Sequence, residues 1–375
     1  MAVLGLSGRP KHAVTYKPVA FFNPTFGHLD ASRILKPIRD PFNVYQLWRS
    51  RDNRKGRHAL EIRLPQTSGD IQLPTKTNSP KSISYGIIRM FTWFPVWDIS
   101  YDVAIIFTLG SVVWVINSFF AWLPLVDPSS TFSGESNAMG ITAFVGATIF
   151  EIGSVLLLLE AVNENRTECF GWALEKELEG FSLNKTHREC SHSHNIKRSL
   201  LVDDKIGKPD RQWKWWPSKD EFLSHYLREI GFLAAFFQLM GATIFWVAGF
   251  TSVPSISSSL STKATNGVFW LPQVVGGTGF IISGCLYMLE TQKNWYTPAL
   301  RVLGWHIGFW NFIGAIGFTL CGALGFAQNN SGAVFQSSLA TFWGSWAFLI
   351  GSVIQWYESL DKNPVVMVAS RPSAT

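Results

Sequence analysis

Apolar residues gather along this chain in six long blocks, at about Val103 to Val126, Met139 to Val162, Leu227 to Thr251, Gly267 to Leu289, Val302 to Phe326 and Val334 to Tyr357. Each is long enough to cross a bilayer as a helix, since the hydrocarbon core takes about 20 mostly apolar residues. Four blocks are free or nearly free of charge; the second carries Glu151 near its middle and the fifth His306 near its start. The pattern predicts an all-α fold, a polytopic membrane protein with six transmembrane helices.

What precedes the first block reads differently. Residues 1–97 are rich in Pro, basic residues and turn formers, and predict a largely irregular cytosolic tail in which a stretch such as Phe42 to Leu64 suits a surface helix. Apolar and aromatic density rises from Ile87, ending in Trp93, Phe94, Pro95 and Trp97, a composition suited to the headgroup zone. No short apolar run follows a basic head at the start, so the first span is expected to act as the insertion signal.

Composition sharpens this picture. Of 375 residues only 15% are charged, against roughly 25% in a typical soluble protein, and 17 are Trp. Too little charge is available to cover a soluble surface, which argues against an ordinary soluble enzyme, a disordered chain or a secreted disulfide scaffold. Positive residues favour the cytosolic side. With both termini in the cytosol, 31 of the 32 Lys and Arg fall on that side, Lys263 being the exception. The net charge of +6 then faces anionic inner-leaflet headgroups, and no nucleic-acid motif accompanies it. A plasma-membrane location is expected over the endoplasmic reticulum.

The even-numbered blocks also repeat one another. Gly146, Gly153, Ser154 and Glu160 recur with the same spacing as Gly276, Ser283, Gly284 and Glu290, and again as Gly344, Gly351, Ser352 and Glu358. Seven residues return to within about 20° of the same direction on a helix, so each set shares one face. Small residues on one face let a second backbone approach, which predicts a packing seam. The odd blocks echo this, Phe236 to Ala242 matching Phe309 to Ala315, while the first shares only Leu109, Gly110 and Ser111. The predicted unit is a two-helix hairpin used three times in parallel, over 98–162, 225–290 and 291–358, with a basic cytosolic loop at 163–224 and a cytosolic tail at 359–375.

The runs Ile230 to Thr251, Gln273 to Trp295 and Leu339 to Lys362, the last holding Thr341, Phe342, Trp343, Gly344, Ser345, Trp346, Gly351 and Ser352, resemble fungal six-helix integral membrane proteins of unassigned activity. The small-residue hairpin is similar to the bacterial YrhK-like two-helix domain. The resemblance covers residues 210–375 well and the first hairpin less closely. It implies a membrane fold and brings neither a cofactor nor catalytic residues.

Candidate chemistry is sparse. Glu151 lies near the midplane, roughly level with Gln238 and Asn311, and an intramembrane carboxyl suggests function by default. It serves either a proton or ion path or, hydrogen-bonded to Gln238 or Asn311, as glue between helices; it sits about 140° from the seam and so faces a different helix. Glu160, Glu290 and Glu358 close three helices at their cytosolic ends, where a carboxylate opposes the helix dipole. They predict cationic partners such as Arg228, Arg301 or Arg89, either as a ring attracting cations or as salt bridges locking the hairpins.

His187, Cys190, His192 and His194 cluster in the large loop, with Cys169 upstream, but their spacing is not a paired zinc pattern, and a solvated loop is the plainer reading. His306 is isolated, Cys285 and Cys321 read as small apolar residues, and Asp203 and Asp204 lack a second acidic motif for magnesium. No metal and no cofactor is therefore expected. Asn329 is a glycosylation sequon on the predicted outer side, whereas the sequons at Asn165 and Asn184 fall on the cytosolic side. Phosphate-loop and Ser/His/Asp patterns are lacking. The reading is a non-enzymatic transport or accessory component with lipids, and other membrane proteins, as partners. The alternative is a membrane enzyme acting on a lipid or isoprenoid substrate, with a pocket lined by at least two of Glu160, His225, Glu290 and Glu358.

Overall fold

Backbone groups inside lipid have no water to bond with, so apolar blocks of this length close their hydrogen bonds internally as helices. The computed structural model describes residues 15–30, 43–57, 59–64, 76–179 and 213–369. Before the first span these form β1 (Thr15–Tyr16), β2 (Phe26–Asp30), β3 (Asn43–Arg49), a single helical turn α1 (Ser50–Arg54), β4 (Ala59–Leu64) and α2 (Pro80–Thr92). Then come α3 (Ile99–Val126), α4 (Glu135–Val162), α5 (Phe170–Glu179), α6 (Lys219–Ser224), α7 (Ile230–Thr251), α8 (Pro254–Ser257), α9 (Thr262–Thr265), α10 (Leu271–Thr291), α11 (Leu303–Gly325), α12 (Ser331–Leu360) and β5 (Val365–Ala369). Six helices are long and apolar enough to span a bilayer: α3, α4, α7, α11, α12, and α9 continued through a π turn at Asn266–Trp270 into α10. The protein is a multi-pass, all-α membrane protein in its spanning part.

Span starts reach further than the apolar blocks because polar caps lie outside them. Asp98 accepts from Ser100 N at 2.9 Å to start α3, and Asn330 accepts from the backbone N–H of Gly332 and Ala333 to start α12. Each side-chain oxygen satisfies an amide that the first helical turn leaves open.

The six spans pack in a closed ring in chain order, α12 returning to α3. Its crossings are close where glycines meet. A Cβ on Gly276 would stand 2.6 Å from Gly241 O, and one on Gly344 would stand 3.1 Å from Gly314 O. Gly146 instead receives the indole of Trp114, with Nε1 at 2.9 Å from the same virtual position. Inside the ring, aromatic side chains fill the axis. Trp114, Phe245 and Phe318 touch pairwise with centroids 4.9 to 5.7 Å apart. Next to them Phe150 and Phe280 each pack on Phe348, at 5.5 and 6.3 Å.

The tail differs from the irregular segment that its composition suggests. Its described strands form a five-stranded sheet in the order β1-β2-β3-β4-β5, antiparallel except for the parallel β4–β5 pair, in which Leu60 faces Val365. Within the stretch Phe42 to Leu64, the described residues 43–57 and 59–64 are thus two strands around a helical turn, in place of a surface helix. Leu60, Ile62 and Leu64 alternate with Glu61 and Arg63, a period of two that favours a strand, but their partner lies beyond the last span. The chain joins the two regions only after the whole ring has closed.

Candidate functional site

α1 is too short to hold as an isolated helix. It is fixed by its surroundings: Ser50 N donates to Thr25 O at 3.0 Å, and Asn165 N, from the link after α4, donates to Asn53 O at 2.7 Å. Gly56 turns the chain back with φ of 60°, and a Cβ there would sit 2.6 Å from Thr167 Oγ1. Between β3 and β4 this leaves the run Ser50-Arg-Asp-Asn-Arg-Lys-Gly-Arg57 thrust into one end of the ring, where α4, α10 and α12 finish and α3, α7 and α11 begin.

There the three helix-end carboxylates meet it. Arg54 bridges two helices, with Nη1 2.6 Å from Glu160 Oε1 and Nη2 2.9 Å from Glu290 Oε2. Arg51 Nη2 lies 2.6 Å from Glu358 Oε2, and Arg57 Nη1 spans Glu358 Oε1 at 3.1 Å and Asp52 Oδ1 at 2.8 Å. Lys55 Nζ reaches Glu160 Oε2 at 3.4 Å, a long contact. Ser50 Oγ donates to Glu290 Oε1 at 3.2 Å and lies 3.4 Å from Glu229 Oε2, while Lys362 Nζ sits 2.5 Å from Asp98 Oδ2. The cationic partners are therefore Arg51, Arg54, Lys55 and Arg57. Arg228 and Arg301 are exposed instead, and Arg89 lies over the Trp93 ring at 5.9 Å.

This is a buried network: Arg51, Arg54 and Lys55 are 4%, 2% and 1% exposed. Charges taken out of water survive only when paired. Burial opposes the charge on Arg54, yet Glu290 and Glu160 outweigh it and hold the guanidinium above the ordinary arginine range. Lys55 is the converse: burial, only partly offset by Glu160, lowers its ammonium to about 8. Glycines make room for the plug, since a Cβ on Gly231 would strike Glu290 and Arg54, and one on Gly304 would strike Arg51. The Tyr287 ring lies beneath the Arg54 guanidinium, 5.1 Å from its centroid.

Between the plug and the aromatic layers lies a cavity of about 30 Å³. Gln238 and Asn311 line it, with Tyr287, Ser352 and Gln355. Glu151 is not among its lining residues. Its Oε1 accepts from Thr243 Oγ1 at 2.8 Å on α7, beside Thr148, whose Oγ1 accepts from Trp246 Nε1 at 3.0 Å. Glu151, Gln238 and Asn311 thus share no hydrogen bond, and Asn311 Nδ2 donates to Ile307 O within its own helix. The helical angle accounts for this: Gly146 and Gly153 turn α4 toward α3, which leaves Glu151 facing α7.

One further group, near the plug, has metal-ligand chemistry. His225 Nε2 lies 3.5 Å from Glu164 Oε1 and its Nδ1 3.7 Å from Glu229 Oε1. A single ion takes one ring nitrogen, whereas here each nitrogen faces a different carboxylate, an arrangement that suits an imidazole bridging two acids. His306 Nε2 pairs with Leu300 O at 2.8 Å, and Cys169, Cys285 and Cys321 form no disulfide among the described residues. Asn329 is exposed at the opposite end of the ring. His187, Cys190, His192, His194, Asn184, Asp203 and Asp204 lie outside the described residues.

The basic run at 51–57 went unread in the sequence. Its signal is a cationic turn between two period-two segments, and basic residues in a tail more often lie in solvent. No protein-family model, curated protein or solved structure matches the chain.

Proposed function

We propose that this protein is a non-enzymatic membrane component of the accessory kind, a six-helix ring locked at one end by its own Ser50–Arg57 segment. One observation carries the reading: a single short segment takes up all three helix-end carboxylates, Glu160, Glu290 and Glu358. A mouth that has spent its carboxylates on internal cations has little left with which to draw ions. The aromatic layers along the axis support the same view, because Trp114 packs on Phe318, and Phe150 and Phe318 both pack on Phe348. Three parallel hairpins belong to this reading, supported by the equal spacing at which Gly146, Gly276 and Gly344 precede Glu160, Glu290 and Glu358. So do cytosolic termini, a plasma-membrane location, the likeness to fungal six-helix proteins and contact with anionic lipids. A lipid-acting enzyme has less support: Glu160 and Glu290 do converge, yet the adjoining cavity is about 30 Å³ and is lined by none of Glu160, His225, Glu290 and Glu358.

The transport reading is tested on Glu151. In proteoliposomes, tracer ion and proton fluxes are expected to stay at the background of empty vesicles, both for the wild-type chain and for Glu151→Gln. A saturable flux that Glu151→Gln abolishes would overturn the accessory reading in favour of a path along the α4–α7 groove.

A further inference from the structure

Outside the ring, α2 presents three different sides. Ser79 caps it, Oγ accepting from Ser82 N at 3.2 Å, and Pro80 opens its first turn. At 13 residues it is about 20 Å long, too short to span. One flank packs on the closing turn of α12: Gly86 meets the Tyr357 ring, Phe91 stands edge-on to Trp356 with centroids 5.6 Å apart, and Met90 is buried with Tyr101 and Leu360. Gly86 and Phe91 are about 7 Å apart along α2, whereas Trp356 and Tyr357 are adjacent on α12, so α2 crosses the span rather than running alongside it. At about 100° per residue, Ile83, Ile87 and Phe91 form a stripe about 80° from that flank, and Lys81, Ser82, Arg89 and Thr92 lie opposite the stripe. The stripe residues are 41%, 49% and 67% exposed. Depth says what covers them. Trp356 lies about 6 Å inside Leu360, the last residue of α12, which is the level of the boundary between headgroups and acyl chains. On the same face of α12, Val353 and Ile350 follow about one and two turns further in, and both are exposed. What lies beneath α2 on that face is therefore lipid.

We propose that α2 is an in-plane anchor seated in the leaflet at the plug end, with Ile83, Ile87 and Phe91 in the acyl boundary and Lys81 and Arg89 on the headgroup side. Trp93, Phe94 and Val96 continue its exposed apolar surface toward α3. Just before the cap, Thr77 N donates to Val365 O at 3.2 Å, and Val365 N donates to Thr77 Oγ1 at 2.8 Å. The anchor thereby sets the height of β5 and, through the β4–β5 pair, that of the Ser50–Arg57 segment. The inference goes beyond the accessory reading and does not rest on it, because seating in lipid requires neither a flux nor its absence.

The test uses the full chain in a cysteine-free background, reconstituted in vesicles of phosphatidylcholine and phosphatidylserine. Single nitroxide labels are placed through Ile83→Cys, Ile87→Cys and Phe91→Cys on the stripe, and through Lys81→Cys and Ser82→Cys opposite it. Oxygen, which concentrates in lipid, and a water-soluble nickel chelate are compared as relaxing agents at each label. Stripe labels are expected to favour oxygen, at a depth of about 5–10 Å, and the opposite labels to favour nickel. Equal access of nickel to all five positions would make α2 a solvated helix and overturn the proposal. Exclusion of both reagents from the stripe would mean that protein covers it, a second copy included, and would overturn the proposal as well. Should one labelled variant fail to fold, the remaining stripe positions decide.

Discussion

Arg54 shows at residue scale what the plug does energetically. Its planar fork reaches Glu160 and Glu290 at once, tying the end of α4 to the end of α10 through a third segment. Lysine has no such fork and cannot span the two. Removing one partner from a buried ion pair strands the other charge, at about 3–5 kcal/mol, whereas replacing both by apolar groups is often neutral. Arg54→Met is therefore expected to lose about that much stability, Arg54→Lys to recover little, and Arg54→Met with Glu290→Leu to recover more than half. Chemical unfolding in detergent measures all three. A loss below about 1 kcal/mol for Arg54→Met would mean the bridge acts no more strongly than a surface pair.

At the scale of elements, the ring depends on how closely its helices cross. The spacing of Gly146, Gly276 and Gly344 was legible as a seam, because a period of seven on a helix is local information. Which helix each seam meets was not, since that requires the ring to close. The α7–α10 crossing is the tightest of the three, with backbone on both sides of Gly276 and Gly241. A side chain at Gly276 has nowhere to go, so Gly276→Leu is expected to cost about 3 kcal/mol, the upper part of the range for overpacking. Gly267→Leu meets nothing within 4 Å and is expected to stay within about 0.5 kcal/mol of wild type. Equal losses at the two positions would show that helix contact is not what Gly276 provides.

For the molecule as a whole, the distribution of Lys and Arg predicts a cytosolic plug end, and the opposite end carries Lys263 and Asn329. In a cysteine-free background, a Cys in place of Lys263 is expected to react with an impermeant maleimide on intact cells. One in place of Lys219, exposed near the plug, is expected to react only after permeabilisation; the reverse pattern would invert the topology. By itself the sequence determined the six spans and the face shared by the glycines and the closing glutamates, because each is written in neighbours no more than a few helical turns apart, and the basic asymmetry, which is a count along the chain and needs no contact. Only the tertiary structure decided what the glutamates bind and where the tail goes. Glu358 meets Arg51 across 307 residues, and β4 finds β5 only after the last span has returned the chain to its starting end. Such pairings depend on ring closure, and no local period records them.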